Sequence, residues 1–171
     1  GVERIALAHE DAVGTIGFLE ISPNSHNVIP GEVRATIDLR HPSDAVLERM
    51  AAEVAALVAD AAQAVGLDQR LDPISHTKAV AFDPDCIASV RAGARAAGYT
   101  TRDIISGAGH DAAHAAAVAP TTMIFVPCAG GLSHNPAEWT ESHECAAGAQ
   151  VLLEAVLDYD RRMADARKDG A

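Results

Sequence analysis

The sequence predicts a mixed α/β protein in two parts: an antiparallel sheet with helices, followed by a helix-flanked mixed sheet. Residues 13–40 hold two apolar segments separated by a turn, and the second alternates apolar and polar residues like a half-buried strand. From Phe82 onward, helical periodicities alternate with short apolar runs, which is typical of α/β domains. We therefore predict one domain over residues 1–76 and a second over residues 77–171.

The first domain begins with a predicted β-hairpin. Residues 13–21 and 33–40 are the two strands, and a turn-rich loop over residues 22–31 joins them. A helix follows, with Ser43 or Asp44 as its cap and Gly66 where a C-terminal glycine is expected. A short edge strand is predicted over residues 71–74, which closes the first domain.

The second domain begins with a helix that opens at Asp83-Pro84 and stops at Gly98. Short strands are predicted over residues 103–105 and 121–127, with an alanine-rich helix between them. A long final helix follows, with apolar positions at Cys145, Leu152, Leu153, Val156, Leu157 and Met163.

The composition excludes several classes of partner. The chain has 171 residues with 13 basic and 24 acidic side chains, a formal net charge of −11. Nucleic acids and anionic membrane surfaces favour basic patches, so neither is expected as a partner. No apolar run is long enough to span a bilayer. The three cysteines form no Cys-x-x-Cys pair, which favours free thiols and a cytoplasmic location.

Histidines supply the candidate metal ligands. His134 lies in a Gly-rich loop after the apolar run, and imidazole is the commonest protein metal ligand. His110 and His114 have the i, i+4 spacing of a helical zinc pair, which would make a separate mononuclear site. The interpretation we favour for that second pattern places His110 in a turn, Asp111 as the helix cap and His114 in solvent.

Arg40 is the candidate for binding an anion. It falls on the polar face of its strand with Asp38 two residues before it, so it is either a surface ion pair or a fork for a substrate carboxylate. The turn Ser106-Gly107-Ala108-Gly109 lacks a phosphate-loop lysine, but its backbone N–H groups could approach a bound anion.

Several segments together resemble the N-carbamoyl-L-amino acid hydrolases. Allantoate amidohydrolase and β-ureidopropionase share the pattern, and all belong to the aminoacylase- and carboxypeptidase-like dinuclear zinc hydrolases. The resemblance covers about residues 5–163 and rests on the segments 25–33, 38–42, 106–112, 123–127 and 131–138.

The resemblance implies roles for individual residues. His134 matches a metal-binding histidine, Asn27 and Arg40 match residues that grip the substrate carboxylate, and Gly107 and Gly109 match a turn whose backbone lies near the substrate. It also implies a homodimer formed through the first domain, which in this family is a lid. Two zinc ions, or manganese, cobalt or nickel, would activate water for attack on a ureido or amide carbonyl.

The family's other metal ligands and its general-base glutamate have no counterpart in these 171 residues. The chain therefore resembles the C-terminal part of such an enzyme, and we expect it to be inactive alone. Two alternatives stay open: a non-catalytic dimerisation module, and the mononuclear site at His110 and His114.

Overall fold

The computed structural model describes residues 1–169 and has a mixed α/β architecture. The described part contains five α-helices, one short 3₁₀ turn and a two-stranded antiparallel sheet. The elements are α1 Val2–Leu7, β1 Val13–Ser22, β2 Glu32–Arg40, α2 Asp44–Val65, α3 Pro84–Ala96, α4 Asp111–Ala116, the 3₁₀ turn Ala129–Gly131 and α5 Ser142–Asp169.

The chain divides into two compact units. The first unit is Gly1–Ala79 with Ile105–Gly107, and the second is Val80–Ile104 with the residues from Ala108 onward. The division after Ala79 lies close to the boundary predicted at residues 76 and 77, but the Ile105–Gly107 segment returns to the first unit.

The predicted hairpin is confirmed. β1 and β2 pair antiparallel, with Val13 opposite Arg40 at one end and Ser22 opposite Glu32 at the other. An irregularity between Ile16 and Phe18 shifts the register by one residue. The irregularity lies in β1. Residues alternate without interruption along β2, so its polar residues share one face, as the sequence pattern indicates.

Helix α2 begins and ends where its sequence predicts. Gly66 adopts a left-handed φ of 70°, which lets the Leu67 N–H donate to the Ala62 carbonyl at 2.9 Å. Ser43 occupies the N-cap position, although its side chain makes no capping hydrogen bond. Met50 and Val54, one helical turn apart, are buried.

Helix α3 begins at an Asp-Pro pair and packs closely on α5. The Asp83 carboxylate accepts a hydrogen bond from the Cys86 N–H at 2.8 Å, and Pro84 follows it inside the first turn. A Cβ on Gly93 would lie 3.0 Å from the Ala155 backbone nitrogen. The two helices therefore approach through small residues, and Arg162 of α5 also donates to the buried Ser89 hydroxyl at 3.2 Å.

Three predicted strands are wrong for the part of the chain that the structure describes. Residues 71–74, 103–105 and 121–127 lie outside any β-ladder. A strand needs a hydrogen-bonded neighbour, and the sheet of residues 1–169 consists of β1 and β2 alone. The segment 121–127 makes a backbone bond at its start, where the Asp83 N–H donates to the Thr121 carbonyl at 2.9 Å.

Helix α5 leaves most of its apolar positions uncovered among the described residues. The buried residues of that helix are Val151 and Ala155, because α3 contacts the side that carries small residues. Large apolar side chains at four of the positions named from the sequence are about half exposed: Leu152, Leu153, Val156 and Leu157. This face is apolar enough to be buried and lacks a covering element among the described residues.

The surface area agrees with this incomplete burial. The chain exposes 12826 Å². Two separate folded domains, each of half the chain's mass of 17.7 kDa, would expose about 9,600 Å² in total by the usual scaling of surface with mass. Each unit therefore leaves much of its apolar surface uncovered. Within residues 1–169 we find no helix with the length and apolar character needed to cross a membrane.

Candidate functional site

Arg40 lies at the end of β2 and is held from two sides. Its Nε donates to Asp38 Oδ1 and its Nη2 donates to Asp38 Oδ2, both at 2.8 Å. Its Nη1 donates to the Gly107 carbonyl oxygen at 2.7 Å. The structure therefore brings together two of the residues singled out from the sequence, Arg40 and Gly107, which lie 67 positions apart.

The electrostatics of this cluster favour the charged pair. The hydrogen bonds from Arg40, together with its positive charge, lower the pKa of the Asp38 carboxyl below its usual value. The same bonds and the Asp38 charge raise the pKa of Arg40. Both side chains are about half exposed, so solvent screens the pair and its contribution to stability is small.

Asn27 lies at the opposite end of the hairpin from Arg40. It belongs to the loop between β1 and β2, where the Ser25 hydroxyl donates to Asn27 Oδ1 at 2.8 Å. β2 runs about 26 Å from Glu32 to Arg40 at the usual rise of a strand. The structure therefore separates Asn27 from Arg40 within one chain.

The glycine-rich turn leaves open space at both of its glycines. A Cβ on Gly107 or Gly109 would meet no atom of the described residues within 4 Å, and neither glycine has a left-handed φ. Neither backbone conformation nor packing within residues 1–169 therefore requires glycine at these positions. The Gly107 carbonyl, rather than its N–H, is the group that contacts Arg40.

His110 and His114 do not share a helical face. His110 precedes α4 with an extended backbone at φ −136° and ψ 151°, and its ring packs edge-on against Phe125 with the centroids 5.5 Å apart. His114 is an exposed residue of the helix. Asp111 is the first helical residue and not the cap, because His110 takes the N-cap position. The i, i+4 geometry of a zinc pair is thus absent here.

His134 occupies a tight loop with a left-handed backbone. Its φ is 54°, a conformation that costs energy for any residue with a Cβ. Its backbone N–H donates to Glu138 Oε2 at 2.9 Å, and the Ala137 N–H donates to Asn135 Oδ1 at 2.9 Å. Glu138 therefore holds the loop in shape, and the strained residue is the one whose imidazole the sequence singles out.

The described residues do not complete a metal site. Within residues 1–169 no group of three or more His, Cys, Asp or Glu side chains is arranged to hold a metal ion. A catalytic zinc uses about three protein ligands. The described residues therefore form no complete metal site of their own.

Residues 6–158 match the model of peptidase family M20/M25/M40. The chain belongs to this family. Its members among the relatives below are amidohydrolases, and a close match in sequence and structure extends over nearly the whole chain.

The N-carbamoyl-L-amino-acid amidohydrolase of Rhizobium meliloti is 44% identical over 158 residues, which are 92% of this chain and 38% of that protein. The allantoate amidohydrolase of Bacillus subtilis is 34% identical over 140 residues, which are 82% of this chain and 34% of that protein. A crystal structure of a hydantoinase/carbamoylase family amidase from Burkholderia multivorans superposes with a TM-score of 0.88 at 50% identity, covering 92% of this chain and 39% of that one.

The chain thus spans less than two fifths of the length of these relatives of the M20/M25/M40 family. The signals behind this membership were visible in the sequence as the glycine-rich turn and the His134 loop. Glu138, which accepts the hydrogen bond from the His134 backbone N–H, is a site residue that the sequence did not identify.

Proposed function

We propose that this chain is the carboxyl-terminal part of a metal-dependent amidohydrolase that cleaves the ureido or amide C–N bond of an N-carbamoyl amino acid or a related compound. It contributes the recognition of the substrate carboxylate and one metal ligand. The Rhizobium relative that it resembles is named for N-carbamoyl-L-amino acids, which supports this substrate class.

The observation that carries the proposal is the arrangement around Arg40. A guanidinium offers five N–H donors, and the bonds to Asp38 and Gly107 use three of them. A planar guanidinium held in this way can present its further donors to a carboxylate in a bidentate geometry. The open space beside Gly107 leaves room for the substrate next to that group.

His134 is the metal ligand in this proposal. When bound, a zinc ion or a similar divalent metal lowers the pKa of a coordinated water molecule. The other ligands and the general-base glutamate come from the amino-terminal part of the enzyme, so the steps derived from this chain are those of substrate binding. We therefore expect the 171 residues alone to turn over no substrate.

A homodimer formed through the first unit explains the positions of Asn27 and Arg40. Within one chain, the length of β2, about 26 Å from Glu32 to Arg40, lies between the loop that holds Asn27 and Arg40. If both bind the same carboxylate, each must come from a different copy. The exposed apolar side chains of the hairpin, Ile16, Phe18, Leu19 and Val33, offer a surface for such contacts.

The amino-terminal part of the enzyme is the expected partner of the second unit. A groove of about 720 Å³ in that unit is lined by α3, α5 and the segment before the His134 loop. Val90, Ile124, Leu152 and Val156 are among its lining residues. The relatives have more than three fifths of their length outside the matched region, which is ample to cover this groove. All three cysteines are free, which favours a reducing cytoplasm.

The test uses an assembled protein in which the amino-terminal part of the Rhizobium relative, up to its matched region, is joined to this chain. We expect ammonia release from an N-carbamoyl-L-amino acid. Arg40→Lys removes the planar fork, so it should raise KM for this substrate at least about tenfold. Arg34→Lys is the matched control, because Arg34 lies on the same strand and makes only a 3.9 Å ion pair with Glu20.

The neutral amide analogue of the same substrate separates carboxylate recognition from a general defect. Arg40→Lys should affect this analogue much less than the carboxylate substrate. An equal loss for both compounds would rule out the role of Arg40. Hydrolysis by the isolated 171-residue chain would contradict the expectation that it lacks the catalytic groups.

A further inference from the structure

Asp38 is placed beside Arg40 by the geometry of β2. Side chains two residues apart on a strand share a face, so the Asp38 carboxylate meets the edge of the Arg40 guanidinium. Both carboxylate oxygens accept hydrogen bonds at 2.8 Å, one from Nε and one from Nη2. This two-point contact fixes the plane of the guanidinium, which a single bond would not do.

We propose that Asp38 is the positioning residue that orients Arg40 for the substrate carboxylate. The inference rests on the proposed function, in which Arg40 binds that carboxylate. Asp38 holds one edge of the guanidinium while the Gly107 carbonyl holds Nη1 at 2.7 Å. Two N–H donors remain beyond these three bonds, and their directions are set before the substrate arrives.

The positioning role and a plain surface ion pair predict opposite effects. The Asp38 carboxylate neutralises the charge of Arg40. If charge alone mattered, removing this carboxylate would leave a net positive group and strengthen the binding of an anion. The geometry says the reverse. Without the hydrogen bonds to Asp38, the Arg40 side chain is free to adopt many rotamers. The loss of this conformational entropy when the substrate binds then weakens the association. The sign of the change in affinity therefore decides between the two.

The hairpin also carries a natural comparison. Arg34 and Glu20 form an ion pair across the two strands, but with one contact of 3.9 Å between largely exposed side chains. That pair has the charges of the Asp38–Arg40 pair without its two-point geometry. Glu20→Gln is therefore the matched control for a change at Asp38.

The first measurement needs no activity. In the 171-residue chain, the exchange of the Arg40 Nε–H with water is followed by NMR. We expect slow exchange in the unchanged chain, exchange about tenfold faster or more in Asp38→Ala, and no change in Glu20→Gln. Asp38→Asn keeps one acceptor oxygen, so its Arg40 Nε–H should exchange at a rate between those of the unchanged chain and Asp38→Ala. Equal exchange in Asp38→Ala and the unchanged chain would overturn the proposal.

The second measurement uses the assembled protein and the N-carbamoyl-L-amino acid. Asp38→Ala should raise KM about tenfold while kcat changes less than threefold, and Asp38→Asn should recover part of the loss. A lower KM in Asp38→Ala overturns the proposal in favour of the plain ion pair. If Arg40→Lys raises KM and Asp38→Ala does not, the proposed function stands and this inference fails. If the unchanged assembled protein shows no hydrolysis, both fail.

Discussion

The left-handed backbone of His134 predicts that replacing the histidine with glycine makes the protein more stable than replacing it with alanine. At φ 54° a residue with a Cβ costs roughly 1–2 kcal/mol, which glycine avoids. Glycine in turn loses about 0.5–1 kcal/mol through its freedom in the unfolded chain. The difference leaves His134→Gly about 1 kcal/mol more stable than His134→Ala.

The hydrogen bond that holds this loop survives both substitutions. Glu138 Oε2 accepts from the backbone N–H of residue 134, and every residue except proline keeps that donor. The imidazole is exposed, so its removal costs little packing. The comparison between the two variants therefore isolates the backbone term.

Urea denaturation followed by circular dichroism gives the free energy of unfolding of each variant. Ser133 is the matched control, because it is an exposed neighbour whose φ lies outside the left-handed region. There Ser133→Gly should be less stable than Ser133→Ala by about 0.5–1 kcal/mol. If His134→Ala equals or exceeds His134→Gly in stability, the strained conformation of His134 and the reasoning from it are refuted.

Further predictions concern packing, pH and thiol reactivity. Gly93→Ala should lower the free energy of unfolding by about 1–2 kcal/mol in urea, because its Cβ would lie 3.0 Å from the Ala155 backbone nitrogen; Gly17→Ala, with open space around it, should change it by less than about 0.5 kcal/mol. Stability should fall as the pH drops below about 4, because the pKa of the Asp38 carboxyl is lower in the folded chain than in the unfolded one, which then takes up the proton first. Denaturation midpoints that stay constant from pH 5 to pH 2.5 would contradict this. The Cys86 thiol should react with iodoacetamide more slowly than a model thiol at pH 8, because burial and Asp83 raise its pKa; mass spectrometry of the labelled chain measures the rate.

Local signals in the sequence predicted the elements that are complete within this chain. The alternation of residues 33–40 predicted β2, and the glycine at Gly66 and the Asp83-Pro84 pair predicted where α2 ends and α3 begins. Each of these rests on contacts within a few residues or with an adjacent strand. The described residues contain those partners, so the predictions are confirmed.

The wrong predictions share a physical cause. The segment 121–127 has the composition of a buried strand, and α5 has an apolar face at Leu152 and Val156, yet the residues that would cover them are missing from the described part. A sequence pattern shows that a segment has apolar residues to bury. It does not show whether the element that covers them lies in the same stretch of chain. Under the proposed function, the covering residues belong to the amino-terminal part of the enzyme.

The candidate site was predicted only in part. The pairing of Asp38 with Arg40 follows from strand alternation, but the bond between Arg40 and Gly107 joins residues 67 positions apart and no spacing rule predicts it. The resemblance to known hydrolases nominated both residues separately. The left-handed φ of His134 was not predicted from the sequence, because only a few per cent of residues other than glycine take that conformation.

The metal content of the assembled protein tests the central claim most directly. The claim is that His134 supplies one ligand to a site whose remaining ligands lie outside these 171 residues. Elemental analysis and ammonia release are measured together for the isolated chain, the assembled protein and its His134→Ala variant. The account predicts no stoichiometric zinc in the isolated chain, and bound metal with turnover in the assembled protein that His134→Ala abolishes. Full metal content and turnover in the His134→Ala protein would contradict it.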